Sequence, residues 1–344
     1  MRRPQFIKTD HIFSMTSRIG IYQFASGTTP DKNYGYSIDD QTRALILALF
    51  LYHQKNERRH LKLARIYLNF IERAQLKDGR FHNFADFKGR FIDRVGSEDC
   101  FGRTIWALGV CQCYGPRDIK QRAEKIFKKS KSKIKKLRYI RSKAYASLGL
   151  IEIFREKKES EIKEELKRIT QYLIKKFKES SSLNWSFFED KLIYANAILP
   201  LALLSIFEVS GNQEELNPGL KSLDFLNRVC RIKGFPAPIG FEGWYPRGQK
   251  KAQFGQQPID VCDMVLAAIK AYELTGEKKY SQMAKDWFSW FLGNNIYQLE
   301  MYDPKTGGCF DGIFKTGINP NQGAESTICF HLANLEISNL KTIK

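Results

Sequence analysis

A chain of 344 residues with 43% hydrophobic and 13% aromatic content has apolar surface enough for a large core, in one domain or two. Its formal charge of +19 invites a nucleic-acid reading, yet residues 117–178 alone hold 22 Lys and Arg against 8 Asp and Glu, so the excess is regional. There charge alternates with apolar residues at helical spacing, as on solvated outer helix faces. No DNA- or RNA-binding motif accompanies it, so no specific nucleic-acid partner is expected.

The seven cysteines are odd in number, scattered and mostly inside apolar runs, which predicts buried thiols and a reducing, cytoplasmic setting. The five histidines form no ligand pattern, so neither metal nor cofactor is expected. Residues 1–8 are basic without an apolar segment after them and do not read as a signal peptide. The longest apolar run, 197–207, is broken by Pro200 and too short to span a bilayer.

In chain order, Asp39-Asp40-Gln41-Thr42-Arg43 leads into 44–52, apolar all round, and 60–73 follows with a single apolar stripe. Residues 78–91 alternate with glycine turns and suggest a short hairpin. Glu98-Asp99-Cys100-Phe101-Gly102-Arg103 then opens a second apolar helix over 104–111, partnered by a basic amphipathic one over 118–136. A third inner helix, 141–154, has no acid at its start and pairs with 161–178. A fourth, 194–209, follows Trp185 and Glu189 and pairs with 216–231. After a glycine- and aromatic-rich loop over 234–257, the fifth inner helix, 259–272, carries Asp260 and Asp263 and pairs with 279–292. Finally a turn-rich stretch with Asp311 delivers the chain to Asn319–Thr327, whose Glu325 stands at the mouth of a sixth apolar segment, 328–335.

A period of about 50 residues, with apolar helices alternating with amphipathic ones, is helix-pair repetition rather than βαβ. It predicts a single all-α domain over 1–344, an (α/α)6-like toroid of alternating inner and outer helices with short β-hairpins on one rim. Such a ring brings the starts of the inner helices to one mouth, where Asp39, Asp40, Glu98, Asp99, Asp260 and Glu325 are expected to converge. Carboxylates beside aromatic rings in a concave mouth suit sugar chemistry: ring faces take the apolar side of a pyranose, and paired acids handle leaving group and water.

Seven stretches carry a family resemblance: Gly20–Gln23; Asp39–Leu45; Glu98–Arg103 before Trp106; Gly234–Gly240 with Gly243-Trp244; Gln256–Asp260; Tyr302–Gly312; and Asn321–Thr327. In this order they resemble a bacterial helical-toroid family found beside, or described as, glycosyltransferases and mannoside phosphorylases. The chain departs from that pattern at Gln41, Thr42, Cys100, Phe101, Gly255 and Asp260, and at 194–200, where an acid and a base are replaced. The resemblance implies a glycan substrate, with a glycosyltransferase or mannoside phosphorylase as partner.

The chemistry expected is inverting hydrolysis of an oligosaccharide or polysaccharide, mannosides among the candidates. Glu325 is the proton donor, its pKa raised by burial, and Asp40 or Asp99 the water-activating base. Arg43 and Arg103 fall three and four positions after those acids and can hold them ionised. Asp39, Arg43, Glu98, Arg103, Trp185, Trp244, Gln257, Asp260, Asp311 and Gln322 are the substrate-binding candidates. The alternative is a noncatalytic glycan-binding toroid that assists a separate glycosyltransferase or phosphorylase.

Overall fold

The computed structural model describes residues 8–340; the basic stretch 1–7, weighed above as a leader, lies outside them. Twelve α-helices are found among the described residues: α1 Asp10–Met15, α2 Ile38–Lys55, α3 Arg58–Ala74, α4 Glu98–Tyr114, α5 Arg117–Ile134, α6 Ile140–Lys157, α7 Ser160–Ser180, α8 Ile198–Ser210, α9 Gln213–Val229, α10 Pro258–Thr275, α11 Lys278–Ser289 and α12 Ala324–Asn339. Every sheet has two short antiparallel strands. No described helix is long and apolar enough to cross a membrane.

The chain forms two compact units, residues 12–169 and residues 170–340 together with 8–11. In the first, α2 packs on α4 and α4 on α6, while α3 and α5 lie against them. The α4–α6 contact is the closest. A methyl group on Gly109 would come within 2.3 Å of the Gly149 carbonyl oxygen, and one on Gly149 within 2.1 Å of that of Ile105. The glycines therefore let two backbones approach where any side chain would part them. In the second unit α10 is central, packed on α8, α11 and α12.

Helices α2, α4, α6, α8, α10 and α12 bury residues on nearly every face, whereas α3, α5, α9 and α11 bury one stripe. This is the predicted alternation. On α5 the lysines at 125, 128 and 129 are exposed, as expected of an outer face. The six fully buried thiols are free, and Cys113 is half-buried.

One local expectation is corrected and another is extended. Helices α2 and α4 start six residues earlier than the apolar runs do, because Ser37 and Ser97 cap them by accepting from the Asp40 and Cys100 amides. The acids thus lie inside the first helical turn, not in the loops. Residues 78–91 hold the expected short hairpin, around the 86–89 turn, and it is not free. Phe84–Ala85 pairs with Tyr36–Ser37, and Ala85 also bridges to Phe91 around a turn held by Asp86, so this stretch is pinned to the strand that leads into α2.

Candidate active site

In the first unit, the start of α2 carries Asp39 and Asp40 side by side. Asp40 is buried. Its Oδ2 accepts from Ser37 Oγ at 2.6 Å, its amide donates back to that oxygen at 3.1 Å, and its Oδ1 lies 3.5 Å from Arg43 Nη1. Ser37 Oγ thus caps the helix through the Asp40 amide while donating to the Asp40 carboxylate, and the arginine one turn later pairs with that carboxylate, as its spacing predicted.

Arg103 reaches across to the neighbouring helix. Its Nη1 is 3.2 Å from Asp39 Oδ2, its Nη2 donates to Tyr145 OH at 3.2 Å, and its guanidinium lies 4.4 Å over the Tyr145 ring. Charge, hydrogen bond and ring face together hold a nearly buried cation in place. Asp39 Oδ1 is a buried oxygen that accepts no hydrogen bond from the described residues, leaving an acceptor for a hydroxyl donor. The sequence reading missed Tyr145 and Arg141, the latter buried in the first turn of α6; the signal was a basic residue at the start of an inner helix, as with Arg43 and Arg103.

Glu98 is engaged elsewhere. Helix α6 begins at Tyr139 without a side-chain cap of its own, and Glu98 supplies one from the adjacent helix. Its Oε2 accepts from the Arg138 amide at 2.6 Å and the Tyr139 amide at 3.2 Å, its Oε1 from Arg138 Nε at 3.0 Å. Burial pushes this carboxyl up, but these donors outweigh it and hold it below the ordinary carboxylate range. Asp99, the next residue, is half-buried.

In the second unit the start of α12 is built around a carboxyl pair. Gly323 caps the helix with no side chain, and Asp311, from the preceding loop, takes over that role. Its Oδ1 accepts from the Gly323 amide at 2.8 Å and from Ser326 Oγ at 2.5 Å. Burial pushes Asp311 up to about 6, against the pull of those two hydrogen bonds, and neighbouring Glu325 adds to the rise. Glu325 itself is half-buried. Asp260 and Asp263 are buried one turn apart on α10. The strand after Asp311 runs beside the residue before Gln257, through mutual Gln256–Ile313 backbone bonds of 3.0 Å, so the starts of α10 and α12 are neighbours. Gln257, the half-buried N-cap residue of α10, makes no side-chain cap bond.

Two expected sugar contacts are consumed by the protein. Trp185 is 4% exposed; its Nε1 donates to the Glu189 carbonyl and its ring packs on Phe225 and Tyr245. Gln322 is 1% exposed, with its amide shared between Thr306 Oγ1 at 2.7 Å and Asp303 Oδ2 at 3.0 Å. Trp244, by contrast, is half-buried in a tight turn at φ +58°, near Tyr194 and Phe241, with Phe314 beside Phe241. An aromatic group available in this unit is therefore the one around Trp244.

No protein-family model matches the chain, and no curated protein matches it in sequence. Among solved structures it is similar to cellobiose 2-epimerase from Bacillus thermoamylovorans B4167, with 11% identity and TM-score 0.77 over 97% of this chain and 95% of that one. It is also similar to a D-mannose isomerase, with 12% identity and TM-score 0.74 over 97% and 95%. A third likeness is to a cellulase of C. cellulolyticum in complex with cellobiose, with 8% identity and TM-score 0.61 over 94% and 88%. These likenesses give the chain the expected fold, the (α/α)6-like class of alternating inner and outer helices with short hairpins.

Proposed function

We propose that this protein is a glycan-processing enzyme working by carboxylate acid–base chemistry, most concretely an inverting glycoside hydrolase acting on an oligosaccharide or polysaccharide. The observation that carries the proposal is Asp311, a buried loop carboxyl raised toward neutrality by burial, which caps α12 beside Glu325 in that helix's first turn. A buried carboxyl with a raised pKa at a helix mouth marks a candidate site for acid–base chemistry. Glu325 keeps the role of proton donor to the leaving oxygen, and Asp311 fixes the turn that presents it. Asp40 and Asp99 remain the two carboxylates proposed for water activation, a role to be assigned by mutation. Within the second unit, the group around Trp244 offers an apolar ring face for a pyranose. The mannoside preference and the glycosyltransferase or phosphorylase partner belong to this proposal and rest on the motif resemblance alone.

A second reading is a sugar epimerase or isomerase, favoured by the higher structural likeness to the epimerase and isomerase than to the cellulase, TM-scores of 0.77 and 0.74 against 0.61. One screen separates the readings. Disaccharides and longer glycans, mannosides included, are incubated with the protein with and without phosphate, and products are read by NMR. Hydrolysis with an inverted anomeric centre supports the first reading; an epimer or an aldose–ketose isomer of unchanged mass supports the second. Glu325→Gln keeps the shape but cannot give up a proton in this role, so it should abolish hydrolysis while sparing binding. Full activity in that variant would remove Glu325 from the chemistry. Glycan binding by the wild type without any turnover would replace both readings with the noncatalytic one.

A further inference from the structure

In the first unit, the loop before α2 and the loop before α4 form one surface with an unusual composition. Gly35 lies so close to the second loop that a methyl group on it would meet the Ala85 carbonyl oxygen at 2.1 Å, and Gly89 packs on the Ile19 side chain. Of the eleven large hydrophobic residues exposed among the described ones, six stand on these two loops: Phe24, Tyr34, Phe84, Phe87, Ile92 and Val95. Such clustering, unlike scattered exposure, marks an interaction surface. Ile92 is 69% exposed and Phe87, at the tip of a tight turn, 49%.

The charges on this surface are one-sided. Asp31 accepts from the Asn33 amide. Asp86 accepts from the Lys88 and Arg90 amides and pairs with the Arg90 side chain, and Asp93 accepts from the Asn83 and Phe84 amides. Asp86 is balanced by Arg90, while Asp31 and Asp93 keep their charge within their turns. Arg18, Lys32, Lys88 and Arg94 are exposed, and none of them makes an ion pair with a described residue; Lys88 instead lies 5.4 Å over the Phe87 ring. The balance is therefore positive, these four cations against Asp31 and Asp93, set among exposed aromatic and branched aliphatic side chains.

We propose that this two-loop surface is a peripheral docking site for an anionic lipid bilayer. Phe87 and Ile92 enter the headgroup–acyl boundary, and Arg18, Lys32, Lys88 and Arg94 pair with lipid phosphates. Interfacial binding of this kind adds apolar burial to electrostatic attraction and needs no spanning helix. The proposal is independent of the glycan reading, since it concerns binding and not turnover.

Cosedimentation of the full-length protein with phosphatidylglycerol–phosphatidylcholine vesicles, compared with pure phosphatidylcholine vesicles, tests it. The wild type should sediment with the anionic vesicles only, and less as salt rises. Phe87→Ser with Ile92→Ser should lower partitioning by about tenfold or more, as should Lys88→Glu with Arg94→Glu. All four residues are exposed, and an unchanged thermal melt shows that the fold is kept. Lys125→Glu with Lys129→Glu on α5 should have the smaller effect. The proposal is overturned if the wild type ignores anionic vesicles, if the loop variants bind as the wild type does, or if only the α5 variant loses binding. It is equally overturned if polyglutamate or RNA is bound while vesicles are not.

Discussion

Replacing Asp311 by Asn should stabilise the protein at neutral pH and leave it almost unchanged in acid. The asparagine keeps a carbonyl oxygen for the Gly323 amide and Ser326 Oγ, which now meet Asp311 Oδ1 at 2.8 and 2.5 Å, but removes the charge. In the folded protein Asp311 titrates at about 6, against an ordinary value of 3.8. A folded pKa raised above the unfolded one gives stability that is fully present below about pH 4 and lost as pH rises through about 6. The difference corresponds to about 3 kcal/mol by linkage. Urea unfolding followed by near-UV circular dichroism, at several pH values between about 4 and 7, measures it. The variant should gain up to about 3 kcal/mol over the wild type near pH 7, and the gain should shrink toward zero near pH 4. Other titrating groups are common to both proteins and cancel in the difference, except Glu325, whose charge contributes to the rise. A variant less stable than the wild type by the same amount at every pH would show that Asp311 is only a helix cap, and the functional reading of the pair would fall with it. A carboxyl that costs stability where it stands is what a retained functional group looks like.

Other outcomes follow from the same geometry. Glu98→Ala removes the cap of α6 and should cost about 2 kcal/mol. Because the Glu98 carboxyl is held below its ordinary value, that cost is present above the unfolded pKa and fades as pH falls through the folded one, which urea midpoints at neutral and acid pH would show. Gly149→Ala should destabilise by about 3 kcal/mol or more through the clash with the Ile105 carbonyl oxygen at 2.1 Å; Gly211→Ala, with open space around it, should cost only about 1 kcal/mol for its positive φ. Arg103→Met leaves Asp39 without its 3.2 Å partner and should cost about 3 kcal/mol. Arg103→Lys should recover only part of that loss in the same unfolding assay, since an ammonium cannot reproduce the planar guanidinium's fork over Tyr145.

What the amino-acid order determines here is periodicity. The all-round apolar runs at 44–52, 104–111 and 259–272 can only be buried helices, and the striped segments between them must lie outside, so the paired-helix class follows from local spacing. The acids at 39, 40, 98, 99, 260 and 325 were legible as helix-start residues for the same reason, as was the Asp40–Arg43 pair three positions apart. What tertiary structure alone decided is which donor each acid meets. Glu98 caps a helix that starts 42 residues later, Asp311 caps one whose own N-cap is a glycine, and Arg103 reaches Asp39 on the next helix. Those partners depend on the relative register of packed helices, which no spacing within one segment encodes. Trp185 and Gln322 read as rim groups from their loops, yet both are buried, because an indole or an amide follows whichever neighbours satisfy its donor and cover its ring, and these come from distant segments.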